Sequence, residues 1–497
     1  MKKSALIIIL AVLILTGCNT TESLPAEIPS IPEISHENFV LARMGNENLN
    51  PLMVQNNTNK LMLKIAYDGL IKVNAAFEPE KILASEYMQE GNTFTFTINP
   101  NAKFWDGSAV SAADVAYSYN QARNQQSPYV ARFNFIQDCY EKDGRVIIRM
   151  SNSSPYNINL CDIPIIKRYT EQNNLFPVGS GKYELIQNGG ELFLQANTSW
   201  INAGTFEIKK ILIENVIDME TLNYSFNAGT IKAIYLDNFS KKATLKGDNS
   251  YCDFDTTFLS FLGFNFSKDY FQDENIRNAL SRSIDRVKMT SDVLINKAVP
   301  AWTLFNPVWA EMKRIDIPKD IHSSEAAANK LLECGFTRTQ TNMLAFNGRD
   351  IELKLIVENN NTFKISAANA AANNLRMLGF TVTVHELSLN EYTNALNIRD
   401  FDLYFGEVKL SENMDVSALG VFEINRGGFD AEMINAPLYA LYNGGSLADT
   451  IMAISEKQPL IPLYYRKDSV AVMRKLSNEL QPLQGDIFNG IQNCRIN

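Results

Sequence analysis

The sequence predicts a mixed α/β fold with an open, largely parallel sheet in its second half. Three observations carry that expectation. Apolar-rich strands alternate with helices between residues 351 and 405, Thr93–Ile98 alternates strictly, and capping residues precede periodic apolar runs.

The elements follow in chain order. Thr93–Ile98 reads TFTFTI, the period of a half-buried strand. Ser111-Ala112-Ala113-Asp114 is a capping box that opens a helix. Asp273 suits the N-cap of a helix in which Ile276, Ala279, Leu280, Ile284 and Val287 recur at three- and four-residue steps. Residues 325–334 form a second helix ended by Gly335. A strand over 351–357 is followed by an alanine-rich helix over 363–378, which Gly379 stops. A β-branched strand over 381–384, a helix over 389–397 and a strand over 401–405 complete the alternation. Sheets of this kind bind ligands outside the carboxyl ends of their strands, which directs attention to residues 404–409.

Composition narrows the function classes. The chain has 497 residues, 45% hydrophobic and 20% charged, with a net charge of −9, a pI near 5.2 and a mean hydropathy of −0.15. That length corresponds to about three domains. The apolar content is enough for real cores and too low for a polytopic membrane protein. The acidic balance argues against nucleic acid, whose phosphates require a basic stripe. Six cysteines are too few for a disulfide scaffold.

The N-terminus fixes the expected compartment. Lys2 and Lys3 precede eleven unbroken apolar residues, 5–15, and Leu15-Thr16-Gly17-Cys18 follows at once. Eleven residues are too few to span a bilayer and suit a signal-peptide core. The segment is similar to a bacterial lipoprotein signal, in which Cys18 takes diacylglycerol on sulfur and becomes the mature N-terminus. Cleavage after residue 17 removes two lysines and no acid, taking the net charge from −9 to −11. Residues 18–35 form a tether, with Pro25, Pro29 and Pro32 among polar residues. No later segment approaches the roughly 20 apolar residues of a membrane span.

Catalytic signatures are scarce. No serine has glycine at both −2 and +2, and no Ser-x-x-Lys occurs. Gly179-Ser180-Gly181 meets Glu184 where a dinucleotide loop needs its third glycine. His36, His322 and His385 are far apart, which argues against a histidine-rich zinc site. The five cysteines after Cys18 show no C-x-x-C and are expected mostly as buried thiols. Asp253 and Asp255 read as carboxylates of a surface loop.

Several segments resemble one family in order and spacing. They begin with Tyr67-Asp68-Gly69-Leu70, Phe104-Trp105-Asp106-Gly107 and Ala113-Asp114-Val115. They continue with Val178-Gly179-Ser180-Gly181-Lys182-Tyr183, Leu262-Gly263-Phe264-Asn265 and Ile276-Arg277-Asn278-Ala279-Leu280. Phe401-Asp402-Leu403 and Pro459-Leu460-Ile461-Pro462-Leu463-Tyr464 close the series. Over about residues 38–475 the chain resembles family 5 of the extracellular solute-binding proteins, the substrate-binding lipoproteins of peptide- and nickel-type ABC importers. The resemblance implies a two-lobed, periplasmic-binding-protein-like α/β fold of class II with an extra subdomain. Residues 36–72, 176–264 and 420–497 would form lobe I, 73–175 the inserted subdomain and 265–419 lobe II.

The resemblance further implies a monomeric, lipid-anchored, extracytoplasmic receptor. It would capture peptides or similar small solutes for an ABC permease, with no cofactor and no chemistry of its own. A nickel or metallophore receptor, a lipoprotein peptide hydrolase and a sensor or chaperone-like module are the alternatives. Peptide-binding members carry a Gly-Trp stretch with an acidic residue after the Phe-Asp-Leu strand. Here Glu407 replaces the tryptophan, and Lys409 falls near the acidic position. Glu407 or Asp415 would then have to pair with a ligand amine. Glu47, Asn265, Trp302 and Tyr404 are further candidates for the cleft.

Overall fold

The computed structural model describes residues 38–172, 174–240, 245–316, 322–474, 476 and 480–496, without the side chains of 422–425. The signal segment, Cys18, the tether and His36 lie outside the described residues.

Short-range pattern sets most elements. Phe94 and Phe96 on strand Thr93–Ile98 are buried while their neighbours are not, as strict alternation requires. The Ser111/Asp114 capping box forms and opens helix Ala112–Ala122, whose Val115, Tyr119 and Ala122 are buried. Asn361 caps helix Thr362–Leu378, and Gly379 ends it at φ 108°, a left-handed conformation that glycine adopts without strain.

Three larger sheets organise the chain. Strand Phe39–Met44 runs parallel to Lys210–Val216, which continues antiparallel through Glu191–Ala196 to Tyr183–Asn188. Ala84–Glu90, Thr93–Ile98, Arg145–Met150 and Ile136–Lys142 form a second, wholly antiparallel sheet. The third sheet orders Ala233–Leu236, Leu460–Met473, Asn249–Phe264, Leu403–Lys409, Glu352–Glu358 and Thr381–Leu387, with Ala298–Pro300 added on Leu460–Met473. Its two long members, 16 and 14 residues, are antiparallel partners. At about 3.3 Å per residue they reach roughly 50 Å, far enough to connect separate bodies of the chain.

The third sheet is mixed, not largely parallel. Glu352–Glu358 is parallel to both Thr381–Leu387 and Leu403–Lys409, but Leu403–Lys409 then pairs antiparallel with Asn249–Phe264. The alternation predicted only the local strand–helix units, and the distant strand Asn249–Phe264 decides the rest. Helix Glu274–Ser283 also ends earlier than its periodicity suggested. Ile284 is already extended, and Val287 is 58% exposed on a separate short turn.

Helices Ser417–Gly427, Glu432–Tyr442 and Leu447–Lys457 follow strand Leu403–Lys409. Arg277 donates to the carbonyls of Lys457 and Gln458, and Lys457 pairs with Glu274 at 2.9 Å, so the end of the last of these helices packs with Glu274–Ser283.

The glycine-rich motif at 179–181 is explained by a close backbone approach. A Cβ on Gly181 would lie 2.4 Å from the Ala66 carbonyl carbon, and one on Gly179 would lie 2.7 Å from the Ala66 oxygen. Tyr67 donates to the Pro177 carbonyl at 2.7 Å, and Gly181 N–H donates to Ala66 O at 3.0 Å. Gly181→Ala should therefore lower stability by on the order of 3 kcal/mol. The check is a urea midpoint that falls at constant slope; an unchanged midpoint would mean that the backbone gives way freely.

Candidate functional site

Strand Leu460–Met473 reads LIPLYYRKDSVAVM, an apolar run broken by an arginine and an aspartate two residues apart. Strand alternation puts Tyr464, Arg466 and Asp468 on one face. Register sets Ser260 opposite both Glu407 and Tyr464, and Tyr464 opposite Pro300.

Arg466 is only 4% exposed and is the hub of this face. It donates to Glu407 Oε1 at 2.9 Å and to Asp468 Oδ1 at 3.4 Å, and it pairs with Asp237. Its guanidinium lies over the Phe258 ring at 4.3 Å and the Phe239 ring at 4.7 Å. Burial works against its charge, but Glu407, Asp468 and Asp237 more than offset that and hold it protonated. Lys364 approaches Glu407 Oε1 at 3.5 Å, and Ser260 donates to Oε2 at 3.3 Å. Phe239 stacks on Tyr464 at 5.8 Å and meets Phe363 at 5.3 Å. The loop after Ala233–Leu236 is thereby fastened to the start of helix Thr362–Leu378.

Two cavities adjoin this network. One of about 320 Å³ lies at the carboxyl ends of the parallel strands and is lined by Glu358, Lys364, Tyr392, Phe405, Glu407 and Arg426. The other, about 120 Å³, is acidic and includes Asn74, Asp162, Asp253, Asp255, Glu412 and Gln484 in its wall. Three of its four carboxylates are matched. Arg132 pairs with Asp162 and approaches Glu412 at 3.5 Å, while Lys297 holds Asp253 at 2.6 Å. Asp255 differs: its Oδ1 is buried without a hydrogen-bond partner among the described residues. Burial raises its carboxyl pKa, with Lys467 opposing. A buried carboxylate oxygen without a donor can accept from a donor-bearing cation.

The segments around the acidic cavity are in contact across the molecule. Asn159 Nδ2 donates to Glu412 O at 3.0 Å, and Asn413 Nδ2 to Asn157 Oδ1 at 2.9 Å. Ala310 N–H donates to Ala76 O at 2.9 Å.

The residues singled out from sequence fall in several places. Glu407 borders the larger cavity, but Arg466 and Lys364 already match its charge. Asp415 is committed internally, accepting from Ser417 N at 2.8 Å and from Tyr442 OH. Asn265 is buried, donating to the carbonyls of Arg399 and Phe401 and accepting from Ser267, so it braces the turn out of Asn249–Phe264. Tyr404 is a core residue on the strand face opposite Glu407, against Phe261 and Phe401; a Cβ on Gly263 would lie 2.0 Å from its ring. Glu47 accepts from Gln55 N and Asn56 N and ties down its own loop. Trp302 is half-buried beyond strand Ala298–Pro300 and lines neither cavity.

Asp255, Arg466, Lys364 and Asp237 were missed. Asp253 and Asp255 lie on a crossover strand, not in a surface loop, and Arg466/Asp468 carried the readable signal of two charges at i,i+2 inside an apolar strand. Among the described residues no group of three His, Cys, Asp or Glu side chains is arranged to hold a metal, and Cys139, Cys161 and Cys494 are buried.

Comparison with known proteins adds an independent line. Residues 78–422 match the model of the bacterial extracellular solute-binding proteins, family 5. The oligopeptide-binding protein OppA of Bacillus subtilis is 21% identical, the alignment covering 88% of this chain and 89% of that protein. The dipeptide-binding protein DppE of the same organism is 23% identical over 66% of this chain and 68% of its own. A crystal structure of a nickel ABC transporter protein from Bacillus halodurans superposes with a TM-score of 0.72 at 16% identity, covering 93% of this chain and all of that one. The shared fold is two-lobed.

Independently of these likenesses, the Arg466 network can be tested. Arg466→Met removes the cation that Asp237, Asp468 and Glu407 share, leaving Glu407 only Lys364, and should cost about 3–5 kcal/mol. Glu407→Gln leaves Arg466 two carboxylates and should cost clearly less. Chemical denaturation of both variants checks this, and equal costs would contradict Arg466 as the hub.

Proposed function

The chain belongs to the bacterial extracellular solute-binding proteins, family 5, and we propose that it captures a peptide between its lobes and delivers it to an ABC permease. The observation that carries this reading is Asp255, a half-buried carboxylate on strand Asn249–Phe264 whose Oδ1 is buried in the wall of the acidic cavity with no hydrogen-bond donor among the described residues. A peptide ammonium supplies both the charge and the N–H groups that this oxygen lacks. Backbone groups along the strand ends can hold the rest of a peptide without a strong side-chain signature.

This reading moves the amine anchor from Glu407 and Asp415, whose oxygens are committed within the protein, to Asp255. It is also favoured over direct capture of nickel ions, because soft or imidazole donors are not gathered at either cavity; a nickel chelate with an organic ligand is the second reading. The protein acts as a receptor and carries out no chemistry on its ligand.

The same proposal places the protein on the outer face of the cell membrane as a monomer, held through lipid on Cys18. Among the described residues no helix is long and apolar enough to cross a membrane. Several acyl chains at one N-terminus anchor a protein stably.

Mass spectrometry of ligands released from the purified, denatured protein tests the function directly. Peptides support capture, and a metal chelate in their place sinks it. Calorimetry with a bound peptide tests the anchor. Asp255→Asn should weaken binding by about 1.5–3 kcal/mol, and unchanged affinity would refute the role. Because ammonium capture requires the carboxylate and burial raises the Asp255 pKa, wild-type affinity should fall on acidification earlier than an ordinary aspartate allows. The Asp255→Asn variant should lack that step. Cys18→Ser should move the protein from the detergent phase to the aqueous phase in Triton X-114 partitioning; continued membrane retention would refute lipid anchoring there.

A further inference from the structure

A second cavity system lies beside the acidic one. It is a groove of about 480 Å³ between residues 74–87, the turn at 155–159 and the segment 309–314. Four aromatic residues line it: Phe77, Tyr87, Tyr156 and Trp309. Tyr156 meets Trp309 edge-on at 4.7 Å, and Phe305 stacks behind Trp309 at 6.4 Å, so this wall is braced by packing. Three carboxylates, Glu78, Glu80 and Glu311, face a single cation, Arg314. Arg314 is shared between Glu78, at 2.7 Å, and Glu311, while Glu80 has only an amide donor, Asn74 Nδ2, at 3.2 Å.

Two further features mark the groove as a built site. Asn159, 2% exposed, spends its Nδ2 on the carbonyls of Phe77 and Glu412, and its Oδ1 is buried with no hydrogen-bond partner among the described residues. Phe77 holds φ at 57°, a conformation costly for a bulky residue, and is fixed there by Asn159 and by its N–H bond to Asn74 O. Asn74 and Phe77 border both this groove and the acidic cavity.

We propose that the groove is a subsite for a cationic side chain, of lysine or arginine type, on the captured ligand. Aromatic faces attract a cation, the surplus carboxylates match its charge, and Asn159 Oδ1 accepts one of its N–H groups. The assignment of this cation to a peptide side chain rests on the capture reading above. With an ammonium at Asp255, an extended peptide passing Phe77 carries a side chain into the groove. The inference selects basic peptides among all those the fold can hold.

The test uses the full mature chain and free argininamide, with neutral citrullinamide as the near-isosteric control. Argininamide should change the tryptophan fluorescence saturably and citrullinamide should not. Trp309→Phe should remove the optical signal while calorimetry still records binding. Glu80→Gln with Glu311→Gln should weaken argininamide by about tenfold, and Asp255→Asn should leave that signal in place. An equal response to citrullinamide overturns the proposal, as does a signal that survives the double Gln variant. A signal lost with Asp255→Asn alone assigns the cation to the acidic cavity and also overturns it. If no peptide binds but argininamide still does in this charge-dependent way, the capture reading fails while the groove stands as a cation site.

Discussion

A guanidinium buried to 4% exposure is tolerable only when carboxylates surround it, and those meeting Arg466 come from separate segments. Asp237 follows the strand Ala233–Leu236, Glu407 lies on strand Leu403–Lys409, and Asp468 lies two residues along the strand Leu460–Met473 itself. Removing any one partner leaves net charge in a poorly solvated place. The network therefore specifies where these segments meet, beyond any stability it adds. Phe239, wedged against Tyr464 and Phe363, gives the same junction an apolar seal.

Fixing that junction also sorts the acidic residues by function. Carboxylates that meet an internal cation or hydroxyl, such as Glu407 and Asp415, are structural in effect even where they border space. Asp255 lines the separate acidic cavity, and its buried oxygen has no such donor among the described residues. Ligand recognition in a cleft of this kind follows from incomplete internal compensation. The groups that matter are those the fold leaves unsatisfied, and they need not be the most exposed or the most charged.

Local elements were legible because local physics decides them. The Ser111 box, the Asp273 cap, the Gly379 stop and the alternation of Thr93–Ile98 each depend on residues within one or two turns. The motifs at 67–70 and 179–181 were legible as a resemblance, and the structure gives their reason in the approach of Gly181 to Ala66. The places of Tyr404 and Asn265 were not legible, for the opposite reason. A tyrosine in an apolar strand can face core or cleft, and the deciding fact is Gly263, 141 positions earlier, which leaves room for its ring.

The sequence by itself determined the kinds of most helices and strands it singled out, the acidic balance, the lipoprotein-like pattern of the N-terminus and, through ordered weak motifs, the family. All of these are set by composition or by neighbours along the chain. Only the tertiary structure decided that the large sheet is mixed, that the end of helix Leu447–Lys457 packs with Glu274–Ser283, and that Glu407 is matched by Arg466 while a buried Asp255 oxygen has no donor among the described residues. Charge compensation is a property of distances in space. Arg466 stands 59 residues from Glu407 and 229 from Asp237, so no reading along the chain could pair them.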